Sequence, residues 1–285
     1  MPKARSEQTG ISYLLNGDAD APLVLCLHGF PDIPRTWAPL TEALSNVGYR
    51  VASPWLPGYA PSSLRGPFDV PALTEKILRL ADELSPTEAI RMVGHDWGAV
   101  ITQCALATKP TRFAAAAILA VPHLLSFEAN LQRYPRQLRR SAYMALFQLP
   151  IVSDRIVSRH DFRFIERLWS SWSPGFDPGP DYFEELKQCL RSSIPGPLEY
   201  YRTMASPKVI RQLRQILGGG PISVPTLYLH GGERDGCVGP EMTNGQEAHF
   251  SALFESVTLV DAGHFLHLEQ PQEVSQAVQA WFEAY

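Results

Sequence analysis

Two rhythms of apolar and polar positions divide this chain into three stretches. From 22 to 122, short apolar runs alternate with helical spacings: PLVLCLHG at 22–29, a helical TWAPLTEALSNVG stopped by Gly48, then strand-like YRVASPWL. VPALTEKILRLADEL follows at helical spacing, with Asp82 and Glu83 on its polar side, then EAIRMVG, WGAVITQCALAT and FAAAAILAVP. VLCL and AAAAILAV are apolar on both faces, as central parallel strands are. The alternation predicts an α/β fold: a mostly parallel sheet with helices on both faces. From 123 to 217 only helical patterns occur, among them SAYMALFQL, DRIVSRHDFRFIERLWSSW, PDYFEELKQCLRSS and PLEYYRTMA. Strand patterns resume after GGGP with SVPTLYLHGG and SVTLVDAG, and PQEVSQAVQAWFEAY closes as a helix. The expected organisation is a core of 1–122 and 218–285, interrupted by a helical subdomain at 123–217. That insertion could cap a site or form a second packing layer.

Composition narrows the function classes. Hydrophobic residues make up 45% and charged residues 19%, which fits an ordinary globular chain. Net charge is −4 and pI about 6.1, with no long basic run, so nucleic acid is not an expected partner. RYPRQLRR at 133–140 reads as a solvated helix face. Cys26, Cys104, Cys189 and Cys237 show no paired spacing and read as reduced and structural. MPKARSEQTG lacks the apolar segment of a signal peptide, and no apolar run reaches the ~20 residues of a membrane span. A cytoplasmic protein without membrane contact, monomer or homodimer, is expected.

The chemistry concentrates at Gly94-His95-Asp96-Trp97-Gly98, between a strand and a helix. This is the nucleophile-elbow pattern with aspartate where serine usually stands. The elbow lifts its middle residue above the sheet in a strained conformation, and small flanking residues let strand and helix cross closely. The bland alternative makes Asp96 a helix N-cap, which needs no flanking glycines. A carboxyl group with an ordinary pKa of ~3.9 is ionised at neutral pH. It can attack a saturated carbon and form an alkyl ester, provided that the leaving group departs from sp³ carbon. Water must then cleave the ester, and that step needs a base.

His264, in the loop after SVTLVDAG, is the expected base, because ligands gather at the C-terminal edge of such sheets. His267, three residues on, reads as structural. Asp235, after VPTLYLHG, is the expected orienting acid, with Glu233 and Asp261 as rivals. The order Asp96, Asp235, His264 is that of nucleophile, acid and base in α/β-hydrolases. The oxyanion of the second step needs backbone donors, expected from Trp97 and from Phe30 in HGFPD at 28–32. His28 reads as a packed, hydrogen-bonded residue. No H-E-x-x-H zinc motif and no phosphate loop occur, so neither metal nor organic cofactor is expected.

With HGFPD, GHDWGA, GGERD and DAGHFLHLEQP in this order, the chain resembles the epoxide hydrolases of the α/β-hydrolase fold family from about Ser12 onward. The resemblance implies hydrolysis of a small-molecule epoxide to a vicinal diol through an alkyl-aspartate ester. Haloalkane dehalogenases share the Asp–Asp–His set and are the alternative. The resemblance further implies two cap tyrosines that protonate the ring oxygen. Tyr143 in SAYMALFQLP and Tyr201 in PLEYYRTM match those motifs, and Tyr200 is left to packing. A dehalogenase would need halide donors, for which Trp97, Trp169 and Trp172 are available. The resemblance to epoxide hydrolases also implies a cis peptide between Phe30 and Pro31. Asp32 stands where better known members often have Glu. A third reading, a binding protein on a decayed hydrolase frame, predicts missing catalytic groups, and none is missing from the sequence.

Overall fold

The computed structural model describes residues 3–285. Eight strands form one sheet in the order β1-β2-β4-β3-β5-β6-β7-β8. They are β1 (Lys3–Arg5), β2 (Ser12–Asn16), β3 (Leu23–Leu27), β4 (Arg50–Pro54), β5 (Ile90–His95), β6 (Phe113–Leu119), β7 (Thr226–His230) and β8 (Phe254–Thr258). From β4 to β8 all neighbours are parallel; β2 runs antiparallel to β4, and β1 antiparallel to β2. The central strands are apolar on both sides, as the sequence runs implied. Leu23, Leu25 and Leu27 of β3 pack into one core layer, Val24 and Cys26 into the other.

Core helices α1 (Ala38–Asn46), α2 (Val70–Leu84) and α3 (Trp97–Thr108) follow β3, β4 and β5. Asp69 caps α2 by accepting from the Ala72 amide at 3.1 Å, and Pro71 lies in the first turn. Seven helices separate β6 from β7: α4 (Leu124–Arg133), α5 (Arg136–Arg140), α6 (Ala142–Phe147), α7 (Val152–Trp172), α8 (Pro180–Ser193), α9 (Gly196–Met204) and α10 (Pro207–Leu217). After β8 come α11 (Leu266–Glu269) and α12 (Pro271–Ala284). Helices α2 and α3 pack together on one face of the sheet, α1 and α12 on the other.

The helices between β6 and β7 are bonded to the loops that leave β3 and β4. Trp169 Nε1 donates to the Pro31 carbonyl at 3.0 Å, and Tyr182 donates to Asp32. Tyr200 donates to the Pro57 carbonyl, and the Ala60 amide donates to Ser193 Oγ at 2.8 Å. Trp169 is also stacked on Phe265 with ring centroids 3.4 Å apart. Burial of one such aromatic stabilises by roughly 3 kcal/mol, so this segment is seated on the core rather than tethered to it.

Three local features differ from the pattern reading. The run at 22–29 is the third strand, since β1 and β2 precede it; Ser12 and Tyr13 are buried while Leu14 and Leu15 are half-buried, so β2 shows no alternation. Strand β8 begins at Phe254 and ends at Thr258, earlier than SVTLVDAG suggests, because it is a half-exposed edge strand. The long pattern of α7 is broken at 159–162, where His160, Asp161 and Phe162 have φ of 49°, 53° and 58°. There Phe162 turns into the core, while Asp161 meets Lys187 at 3.0 Å and Arg191 at 2.6 Å.

Candidate active site

The elbow places Asp96 between β5 and α3 with φ 51° and ψ −114°, a conformation that costs a non-glycine residue on the order of 1–3 kcal/mol. Its side chain caps nothing, which removes the N-cap reading. A Cβ on Gly98 would collide with the Leu27 carbonyl, and one on Gly94 with the Gly98 carbonyl, so both positions must stay bare. Gly29 is equally constrained: its missing Cβ is where the Asp96 side chain sits. The sequence reading did not single out that glycine.

Phe30 N–H donates to Asp96 Oδ1 at 2.7 Å, and the Phe30–Pro31 peptide is cis. The Trp97 amide makes no hydrogen bond to Asp96 among the described residues. As the first residue of α3 it is one of the amides that a helix leaves unpaired. The Asp96 carboxyl group therefore has one oxygen held and the other, Oδ2, facing His264 Nε2 at 3.7 Å.

His264 is fully buried, and its Nδ1 lies 3.1 Å from Asp235 Oδ2. Asp235 Oδ1 accepts from the Cys237 and Val238 amides, both at 2.8 Å. Of the three acids considered, only Asp235 is buried; Glu233 and Asp261 face solvent. Burial alone would drive the His264 imidazole toward its neutral form. The charge and hydrogen bond of Asp235, with Asp96 added, outweigh it and push its pKa up to about 10. Burial likewise works to raise Asp235, but His264, His230 and the Val238 amide bring it below its ordinary value.

Tyr143 from α6 and Tyr201 from α9 meet over this group, with ring centroids 5.6 Å apart. Both border a cavity of about 200 Å³ together with Asp96 and Trp97. Beyond them its wall is mostly apolar, with Val100, Val121, Leu124, Phe127, Leu131 and Met204, and its polar lining is Glu128, Gln137 and Ser141. The Tyr201 hydroxyl is buried without a partner, and Tyr143 Oη lies 3.8 Å from Cys237 Sγ. Burial pushes both phenols well above the ordinary tyrosine value, and the Asp96 charge adds to it. Tyr200 points elsewhere and bonds Pro57, so it is a packing residue. Cys237, read as structural from its spacing, is a free thiol that forms part of the cavity wall.

His267 bonds Thr36 Oγ1 and stacks on Trp37, so it belongs to the packing beneath His264. His28 does too: its Nδ1 meets the Gly29 carbonyl, and its Nε2 accepts from the Leu56 amide. Asp32, His95 and His267 bring ligand-type atoms within 4.8 Å of one another. His267 Nε2 and Asp32 Oδ2 stand 4.0 Å apart. Neighbouring ligands at ~2.1 Å from a tetrahedral ion would be ~3.4 Å apart. His267 Nε2 is also already engaged by Thr36, so the set fits a metal poorly.

The model of the alpha/beta hydrolase family matches residues 24–277 of this sequence. The chain belongs to the alpha/beta hydrolase family. Within it, the sequence is 30% identical to epoxide hydrolase A of Mycobacterium tuberculosis, over 92% of this chain and 90% of that one. It is 27% identical to epoxide hydrolase 4 of Homo sapiens, over 93% of this chain and 74% of that protein. The fold matches the crystal structure of epoxide hydrolase A from Mycobacterium thermoresistibile with a TM-score of 0.81 and 26% identity, covering 99% and 98% of the two chains. No helix among the described residues is long and apolar enough to cross a membrane.

Proposed function

We propose that this family member hydrolyses epoxides to vicinal diols through a covalent ester on Asp96. The observation that carries the reading is the meeting of three kinds of group at one place: a half-free carboxylate and two protonated phenols on the wall of one cavity, and a paired imidazole buried directly beside the carboxylate. Kinship with proteins named epoxide hydrolase supports the same reaction.

In the first step Asp96 Oδ2 attacks a ring carbon, the carbon–oxygen bond of the ring breaks, and one phenol gives its proton to the departing oxygen. That oxygen develops a basicity close to hydroxide, so a donor must stand ready. The phenolate left behind is reprotonated by the His264 imidazolium, which no longer faces a charged Asp96 once the ester has formed. His264 thereby becomes the neutral base that the second step needs. It takes a proton from water as the water oxygen bonds to the ester carbonyl carbon. The oxyanion rests on Oδ1, where the Phe30 amide already donates, with the Trp97 amide as second donor. The ester bond then breaks, the leaving alkoxide takes the remaining proton of the added water, and Asp96 returns as carboxylate beside an imidazolium. Protons and charges close over the cycle.

Dehalogenation would use the same triad but needs halide donors in place of phenols. Of its candidate donors Trp169 is already committed to the Pro31 carbonyl, whereas Trp97 Nε1 is buried without a partner and could serve, so the phenols are what favours epoxides. A single turnover in ¹⁸O-water decides the mechanism. Label must appear in the Asp96 carboxylate, read by peptide mass spectrometry; label confined to the diol means direct hydration and overturns the ester. Halide release from a bromoalkane panel without diol formation from oxiranes would transfer the assignment to dehalogenation.

A further inference from the structure

Three successive backbone amides surround the proposed base, and none of them is bonded within its own loop. Gly263 N–H donates to Glu269 Oε2 at 2.8 Å. His264 N–H donates to the carbonyl of Trp172, the last residue of α7, at 3.0 Å. Phe265 N–H donates to Ser173 Oγ at 3.0 Å, and Ser173 in turn donates its hydroxyl to Glu269 Oε1 at 2.6 Å. The Trp172 carbonyl is shared, because the Gly236 amide beside Asp235 also donates to it at 3.0 Å. One carbonyl at the end of a cap helix thus takes an amide from the loop of the acid and another from the loop of the base.

The approach is close enough to dictate residue type on both loops. A Cβ on Gly236 would run into the Ser171 carbonyl, and one on Gly263 would lie 2.6 Å from Ser173 Cα. Ser173 is fully buried, so its hydroxyl has no solvent to fall back on. Removing one partner of such a network leaves the others unsatisfied.

We infer that Ser173 and Glu269 are positioning residues for ester hydrolysis, clamping the His264 loop to the C-terminal end of α7 so that the imidazole stays registered on Asp235. The inference rests on the alkyl-ester reading above and deepens it. Attack on the ring needs Asp96, the Phe30 amide and the phenols; Trp172 packs on Tyr143 with ring centroids 5.0 Å apart, but neither the Ser173 nor the Glu269 side chain bonds to any of these groups. Hydrolysis of the ester needs a neutral imidazole aimed at a water, with Nδ1 held 3.1 Å from Asp235 Oδ2. The two chemical steps therefore depend on the clamp unequally.

Rapid-quench single turnovers of a phenyl-substituted oxirane, followed by intact-protein mass, separate the two rates. Glu269→Gln keeps the shape but replaces one acceptor by a donor, and Ser173→Ala removes the hydroxyl. Both are expected to slow ester hydrolysis by about tenfold or more while leaving alkylation within about twofold, as misplacement of a reacting group does. The mass of the ester should then accumulate. Ser173→Thr, which keeps the hydroxyl, should restore most of the hydrolysis rate. The pH at which hydrolysis reaches its limit should also move in the two impaired variants, since alignment on Asp235 sets the basicity of the imidazole. Parallel loss of both steps, or unchanged hydrolysis with an unmoved pH profile, would reduce the clamp to a folding contact. Should Ser173→Ala not fold, Glu269→Gln decides alone. If the wild type turns over oxiranes without an ester, the alkyl-ester reading falls and this inference with it.

Discussion

The sheet core and the helices between β6 and β7 supply opposite kinds of ionisable group to the same site. The acids and the imidazole of the core are tied to backbone donors or to one another: Asp96 to the Phe30 amide, Asp235 to the Cys237 and Val238 amides, His264 to Asp235. The helical segment contributes neutral phenols set among apolar and aromatic neighbours, with the Tyr201 hydroxyl wholly unpaired. The contrast has a physical cause. A buried charge survives only where fixed dipoles replace its water, and tight turns at strand ends expose such dipoles. In the proposed reaction the phenols must keep their protons until the ring opens, and burial among aromatic and apolar neighbours serves that. Division of labour between the two regions thus follows from solvation.

Breaking the charged half should cost most. Asp96→Asn is expected to lower oxirane turnover by at least ~10³-fold, because the first bond can no longer form. In the same variant the His264 titration, followed by NMR of the ring protons, should move to lower pH. One of the two carboxylates that raise it has then lost its charge. An unchanged titration would mean that Asp96 and His264 are not coupled, and the proton return from imidazolium to phenolate would have to be abandoned.

The neutral half comes next. Tyr201→Phe and Tyr143→Phe should each reduce single-turnover alkylation by roughly 10²-fold, within the usual range for a general acid, and the pair by more. Full activity in the double variant would remove the phenols from the reaction and favour a leaving group that needs no proton.

Packing around the elbow tests rigidity rather than chemistry. Gly98→Ala forces a methyl group against the Leu27 carbonyl and should destabilise the fold by about 1–3 kcal/mol, measurable as a lowered urea midpoint. The smallest effect is expected at the surface, where Arg35 of the core meets Glu185 of α8 at 2.9 Å with both side chains over two-fifths exposed. Arg35→Ala should change stability by less than ~1 kcal/mol, and the difference should shrink further in salt. A larger loss there would show that ion pairs, rather than Trp169 and its stacking on Phe265, seat the helices on the core.

Much of the core was legible because its signals are local. Glycines two residues to either side of Asp96 announce the elbow, and runs apolar on both faces announce central parallel strands. Strand β2 escaped the pattern because one neighbour, β1, covers it with only three residues and leaves its burial uneven. The break in α7 escaped because Phe162, Ile165, Leu168, Trp169 and Trp172 keep a helical spacing from its edge onward, while the backbone of His160, Asp161 and Phe162 turns left-handed. Tyr143 and Tyr201 were found by resemblance alone, since nothing local distinguishes them from the packing tyrosine Tyr200. Glu269 and Ser173 carried no signal at all: 96 positions apart, they acquire a joint role only when α7 ends beside the loop of His264.

By itself the sequence determined the central strands and helices, their order, and the presence of a carboxylate on a strained turn, because these follow from residue type and spacing over a few positions. Tertiary structure alone decided which acid faces the imidazole, which tyrosines reach the cavity and what holds the His264 loop in place. Those are distances between residues far apart in the chain, and folding settles them through packing that no short stretch encodes.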